Sequence, residues 1–81
     1  MIEFDARELF CPEFQIQMRR FLSSQEKGEQ ILIRTLEPRA PSDTKLYCAH
    51  SGLNYIDAEQ TEDEHFILVE IPNETNAQGV G

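Results

Sequence analysis

The sequence predicts an α+β fold, a two-layer α/β sandwich in the order β-α-β-α-β-β. Two helices pack on one face of a four-stranded mixed sheet. Three observations predict it. Short stretches near 2–4, 29–36, 53–60 and 65–71 have the strand character of alternating or β-branched apolar residues. A stretch near 12–24 repeats its apolar residues at helical spacing, and one near 42–50 is bounded by helix start and stop residues. A polar run, Thr61-Glu62-Asp63-Glu64, joins the last two strands at a length suited to a hairpin.

Each element has a local cause. Ile2 and Phe4 alternate with Glu3 and Asp5, the pattern of a half-buried strand, and residues 5 to 11 connect it to a helix. Phe14, Met18, Phe21 and Leu22 form one stripe of that helix, with Gln15, Gln17, Arg19 and Arg20 on the other side. Ser23, Ser24 and Gly28 end it. In the next strand Ile31 and Ile33 share one face, and Leu32 and Arg34 share the other. Glu37-Pro38-Arg39-Ala40-Pro41 is a stiff loop, because proline fixes its own φ and restricts its neighbour. Ser42 or Asp43 caps a second helix whose apolar side is Leu46, Ala49 and Cys48, and Gly52 closes it. A hairpin built on a type I turn follows, with Phe66, Leu68 and Glu70 opposite Ile67, Val69 and Ile71. Residues 1–71 thus make the domain, and 72–81 lack periodicity and read as a disordered tail.

At 81 residues the chain has room for one domain with a small core. Its 15 acidic and 7 basic residues leave a net charge of −8. That sign opposes direct nucleic-acid binding, which needs clustered cations, and opposes an anionic membrane surface. The longest apolar run, Phe66 to Val69, is far short of the roughly 20 residues a span requires. Two cysteines are too few for a disulfide scaffold, and the N-terminus carries no signal-peptide pattern. A cytoplasmic monomer with reduced thiols is the expectation.

The chemistry centres on Cys11-Pro12, where the connection becomes helix. Proline suits the first helical position, which puts Cys11 at the N-cap. Ser, Thr, Asp or Asn would cap better by roughly 1 kcal/mol, so stability does not account for the cysteine. Helix N-termini carry partial positive charge and free amides that stabilise a thiolate or persulfide anion. A reactive sulfur is one reading. Asp5, Glu8 and Glu13 oppose a further anion there, and Arg7 could offset them. The other reading is a small apolar side chain tucked under the helix.

The stretch Phe4-Asp5-Ala6-Arg7-Glu8-Leu9-Phe10-Cys11-Pro12-Glu13 resembles the opening of the TusA (SirA-like) sulfur-carrier family. That family has Asp-Ala-x-Gly-Leu-x-Cys-Pro-x-Pro between its first strand and first helix. The similarity continues through Gly28-Glu29, Glu37-Pro38, Asp43, Tyr47-Cys48 and Gly52, and spans about residues 2 to 71. The chain departs from the pattern at Glu8, in place of glycine, and at Phe14, in place of the second proline. Leu36 and Glu37 stand where the family has Asp-Asp before proline. The resemblance implies that Cys11 accepts sulfane sulfur as a persulfide from a cysteine desulfurase or other sulfur donor protein. A downstream sulfur-accepting protein then receives it, for tRNA thiolation or other sulfur trafficking. It implies a sulfurtransferase-type carrier loaded stoichiometrically, without a cofactor and without independent turnover. Pro12 would set the helix start and Glu13 would line the site, with Asp5 and Arg7 beside it.

Other constellations are weaker. Cys48 reads as core packing, with a second relay thiol or a resolving cysteine for Cys11 as alternatives. Cys48 and His50 are two apart on a helix and diverge, and no Cys-x-x-Cys exists, so no metal site is expected. His50 and His65 read as structural or exposed. Arg19 and Arg20 read as helix-surface charges that could meet a partner. Three functional readings follow: a sulfur carrier; a diverged, non-catalytic interaction or regulatory module on the same fold; and a redox switch pairing Cys11 with Cys48.

Overall fold

The computed structural model describes residues 1–73. Its elements are β1 (Ile2–Ala6), α1 (Glu13–Ser23), β2 (Gln30–Thr35), α2 (Ala40–Ser51), β3 (Asn54–Thr61) and β4 (Glu64–Glu70). This is the expected β-α-β-α-β-β order. The four strands form one mixed sheet in the order β1-β2-β4-β3. β1 runs parallel to β2, while β4 is antiparallel to both β2 and β3. From residue 74 onward, the expected disordered tail lies outside the described residues.

Alternation decides which face of the sheet is dry. Ile31 and Ile33 of β2 pair with Val69 and Ile67 of β4, and all four are fully buried. Phe4 is in register with Ile33 and stacks on Phe21 of α1 at 4.6 Å between ring centroids. Phe14, Met18 and Leu22 come down onto this face from α1, as their spacing predicts. Phe14 is completely buried, so the residue that replaces the family's second proline is a core residue. The opposite face stays open. At its centre Arg34 donates to Glu64 at 2.7 Å and to Glu3 at 3.3 Å, and lies over the Phe66 ring.

α2 departs from the expectation in two ways. It begins at Ala40, with Arg39 at the N-cap and no capping side chain, so neither Ser42 nor Asp43 caps it. Pro41 instead occupies the first turn, where its missing amide costs nothing. Its buried residues are Ala40, Thr44 and Cys48, while Leu46 and Ala49 face outward. The expected role of Cys48 in packing holds, but the helix rests on a narrow strip of small side chains. Gly52 closes α2 in the left-handed conformation with φ +76°, as expected.

The β3–β4 connection is tighter than a turn over four residues. Thr61 pairs with Glu64, leaving only Glu62 and Asp63 between the strands, and Glu62 takes a φ of +56°. At the other end of the sheet, Gly28 donates to the Ile71 carbonyl at 2.8 Å and Ile71 donates back to Glu29 at the same distance. Gly28 suits this place because its φ is +87°, in the left-handed region that side-chain-bearing residues rarely adopt.

Because Phe14 fills the centre of so small a core, Phe14→Ala is expected to cost about 3–5 kcal/mol of stability. Urea denaturation followed by circular dichroism checks this.

Candidate functional site

β1 and β2 are parallel, so their C-terminal ends lie together at one edge of the sandwich. The loop from β1 and the loop from β2 leave from that edge, each leading into the first turn of a helix. Cys11 belongs to the first loop and is exposed. α1 begins at Glu13 with Pro12 at the N-cap, so Cys11 lies one residue outside the cap position expected for it, and Pro12 precedes the helix instead of opening it. In the first turn, the Phe14 N–H is already engaged, donating to the Phe10 carbonyl at 2.8 Å.

What holds Cys11 is Glu37. Its carboxylate accepts the Cys11 N–H at 2.8 Å through one oxygen and the Arg39 N–H at 3.0 Å through the other. The Glu37 N–H donates to the Thr35 hydroxyl at 3.0 Å. Glu37 is 6% exposed, and a carboxylate so enclosed must find donors or lose its charge. The Arg39 and Cys11 amides supply them and hold the carboxyl below its usual range. Sequence reasoning assigned Glu37 no role. Its signals were its place directly before Pro38 in a stiff loop and its match to the acidic residue that the resembling family carries there.

Asp5 and Arg7 form their own unit. The Arg7 side chain makes two bonds of 2.8 Å to the two carboxylate oxygens of Asp5, a fork that also receives the Arg7 N–H at 3.3 Å. The Arg7 guanidinium holds the Asp5 carboxyl at about 2, and the carboxylate raises Arg7 in return. Arg7 therefore spends its charge on Asp5, and the offset it was expected to offer Cys11 is taken up. Glu13 is exposed at the start of α1, where its carboxylate accepts a long bond of 3.4 Å from Gln17.

The second cysteine has a different environment. Cys48 is 1% exposed, and burial pushes its thiol up to about 11. It lies eight residues into α2 from Ala40, about 12 Å along the axis at 1.5 Å per residue. Cys11 is tied to Glu37, ahead of the opposite end of that helix. A disulfide needs Cα atoms within about 7 Å, so the switch pairing Cys11 with Cys48 does not fit this fold. Both thiols are free. Among the described residues no group of three or more His, Cys, Asp or Glu side chains is placed to hold a metal, and no helix is long and apolar enough to cross a membrane.

The family model described as sulfurtransferase TusA matches residues 2–71. The chain belongs to the TusA family, a family of sulfur carriers. Among curated proteins none matches it.

Buried and protonated, Cys48 is expected to resist iodoacetamide at pH 8 in the native protein and to react on unfolding; peptide mass mapping reads this. Its raised value also sets a sign. The unfolded thiol ionises near 9.0 and the folded one only near 11, so this contribution to stability is complete below 9 and is lost as pH rises through 11. A Cys48→Ala variant should lack that part of the alkaline decline in denaturant midpoint.

Proposed function

We propose that this protein is a persulfide carrier, with Cys11 as the atom-bearing residue. The observation that carries the reading is an exposed thiol on a loop whose backbone is anchored by a buried carboxylate, in a chain of the sulfur-carrier family. A carrier needs accessibility and a fixed approach direction, and little else, because its partner enzymes supply the chemistry.

The transfer balances without an external oxidant. The Cys11 thiol gives its proton to solvent, and the thiolate attacks the outer sulfur of a persulfide on the donor protein. A new S–S bond forms on Cys11 as the donor's S–S bond breaks, and the donor cysteine leaves as a thiolate. The sulfane sulfur keeps its oxidation state throughout. Delivery repeats the step with roles reversed: a thiolate of the accepting protein attacks the outer sulfur on Cys11. The donor is a cysteine desulfurase or a protein of equivalent chemistry, and the acceptor feeds tRNA thiolation or another sulfur-using reaction. Pro12 and Glu37 hold the loop, and Glu13 opens α1 two residues after Cys11. Asp5 and Arg7 brace the end of β1, where the loop begins.

Incubation with a cysteine desulfurase, its pyridoxal cofactor and free cysteine is expected to add the mass of one sulfur atom. Intact mass spectrometry under non-reducing conditions reads the product, and a reductant should reverse it. The adduct should persist in Cys48→Ser and vanish in Cys11→Ser. A folded wild-type protein that takes up no sulfur from any of several desulfurases would overturn the reading in favour of an interaction module.

A further inference from the structure

Beside the Cys11 loop lies a cleft of about 660 Å³ lined by Asp5, Arg7, Glu8, Leu9 and Leu36. Its lining adjoins the Cys11 loop. Leu9 is two residues before Cys11, and Leu36 adjoins Glu37, whose carboxylate holds the Cys11 amide. A side chain seated in this cleft brings its owner to the loop that carries Cys11.

The lining has a specific chemistry. Leu9 and Leu36 are half-buried and give the cleft apolar sides. Asp5 and Arg7 neutralise one another through their paired bonds of 2.8 Å. Glu8 remains. It is exposed, and among the described residues it makes no side-chain hydrogen bond and no ion pair. With the Asp5–Arg7 pair closed, the cleft offers two leucine side chains beside one unspent negative charge. An apolar side chain entering it would desolvate Glu8 without compensation, and an acidic one would meet a like charge. A long side chain with an aliphatic stem and a cationic head satisfies both parts, packing its methylenes on leucine and its head on the carboxylate.

We propose that this cleft receives a lysine or arginine side chain of the protein that loads Cys11, with Glu8 as its counter-ion and Leu9 and Leu36 packing on its stem. The slot is a docking device: Glu8 positions the donor and takes no part in sulfur transfer. The proposal rests on the persulfide-carrier reading above.

Its test separates docking from a plain charge effect on the thiol. Single-turnover loading of Cys11 from a cysteine desulfurase is compared with loading from inorganic polysulfide, an anion that has no side chain to seat. Removing a negative charge by Glu8→Gln should slow the protein-borne reaction about fivefold or more and flatten its decline with added salt. The same variant should load from polysulfide no slower than wild type, since one repulsive charge has gone. Leu36→Ala, which removes apolar lining without changing the charge, should also slow the protein donor. Circular dichroism checks that both variants are folded. Equal loading of wild type and Glu8→Gln from the desulfurase, or faster loading of the variant by both donors, would overturn the slot and leave the carrier standing. A wild-type protein that loads from neither donor would overturn both.

Discussion

The carboxylate of Glu37 joins the two loops from which the site is built. One oxygen holds the amide of Cys11 and the other holds the amide of Arg39 at the start of α2, while the Glu37 amide is bonded to Thr35 at the end of β2. A buried charge without donors is costly, so enclosing Glu37 obliges both loops to bring their amides to it. The position of the thiol is thus set from across the fold, by a residue 26 positions away in the chain. The apolar layer makes this possible. Ile31, Ile33, Ile67 and Val69 fix the sheet, Phe14 and Met18 fix α1 upon it, and the loops inherit their spacing from these contacts.

The same architecture divides the two cysteines. The strip of α2 that faces the sheet is small-residued, and Cys48 serves there as a compact apolar side chain with a thiol that burial keeps protonated. Cys11 is at the edge where the parallel strands end, a place in α/β structures where loops gather and backbone is free to meet a ligand. The thiol's neighbourhood is acidic. Glu8 and Glu13 belong to its loop and helix, and the Thr35–His65 pairing brings the Glu62-Asp63 turn to the same end of the sheet. An acidic rim around an exposed thiol favours approach by basic protein surfaces.

Much of this was legible in the sequence because period and burial agreed. The stripe from Phe14 to Leu22 and the alternation in β2 and β4 each put their apolar residues where the spacing required. α2 was harder to read because its buried side is Ala40, Thr44 and Cys48, which carries no strong apolar signal, while Leu46 points to solvent. Its start was misplaced for a related reason: the amide of Asp43 bonds to the Arg39 carbonyl, so the helix opens without a side-chain cap. At the site, Cys11-Pro12 drew attention through its residue types alone. Its anchor did not, because a bond between a loop amide and a distant carboxylate leaves no periodic trace. Two departures from the family pattern, Glu8 and Leu36, look unrelated in sequence, yet both line one cleft in the fold.

The central claim is that the Glu37 carboxylate fixes the Cys11 backbone, and the Cys11 amide proton reports on it directly. Nitrogen-15 NMR of the native protein, titrated downward from neutral pH, follows that proton's shift and its exchange with solvent. The bond predicts a protected amide whose shift moves only when Glu37 takes up a proton, below the usual carboxylate value, and which loses protection in Glu37→Ala. A Cys11 amide that exchanges as freely as in an unstructured peptide, or that ignores the loss of Glu37, would contradict the account.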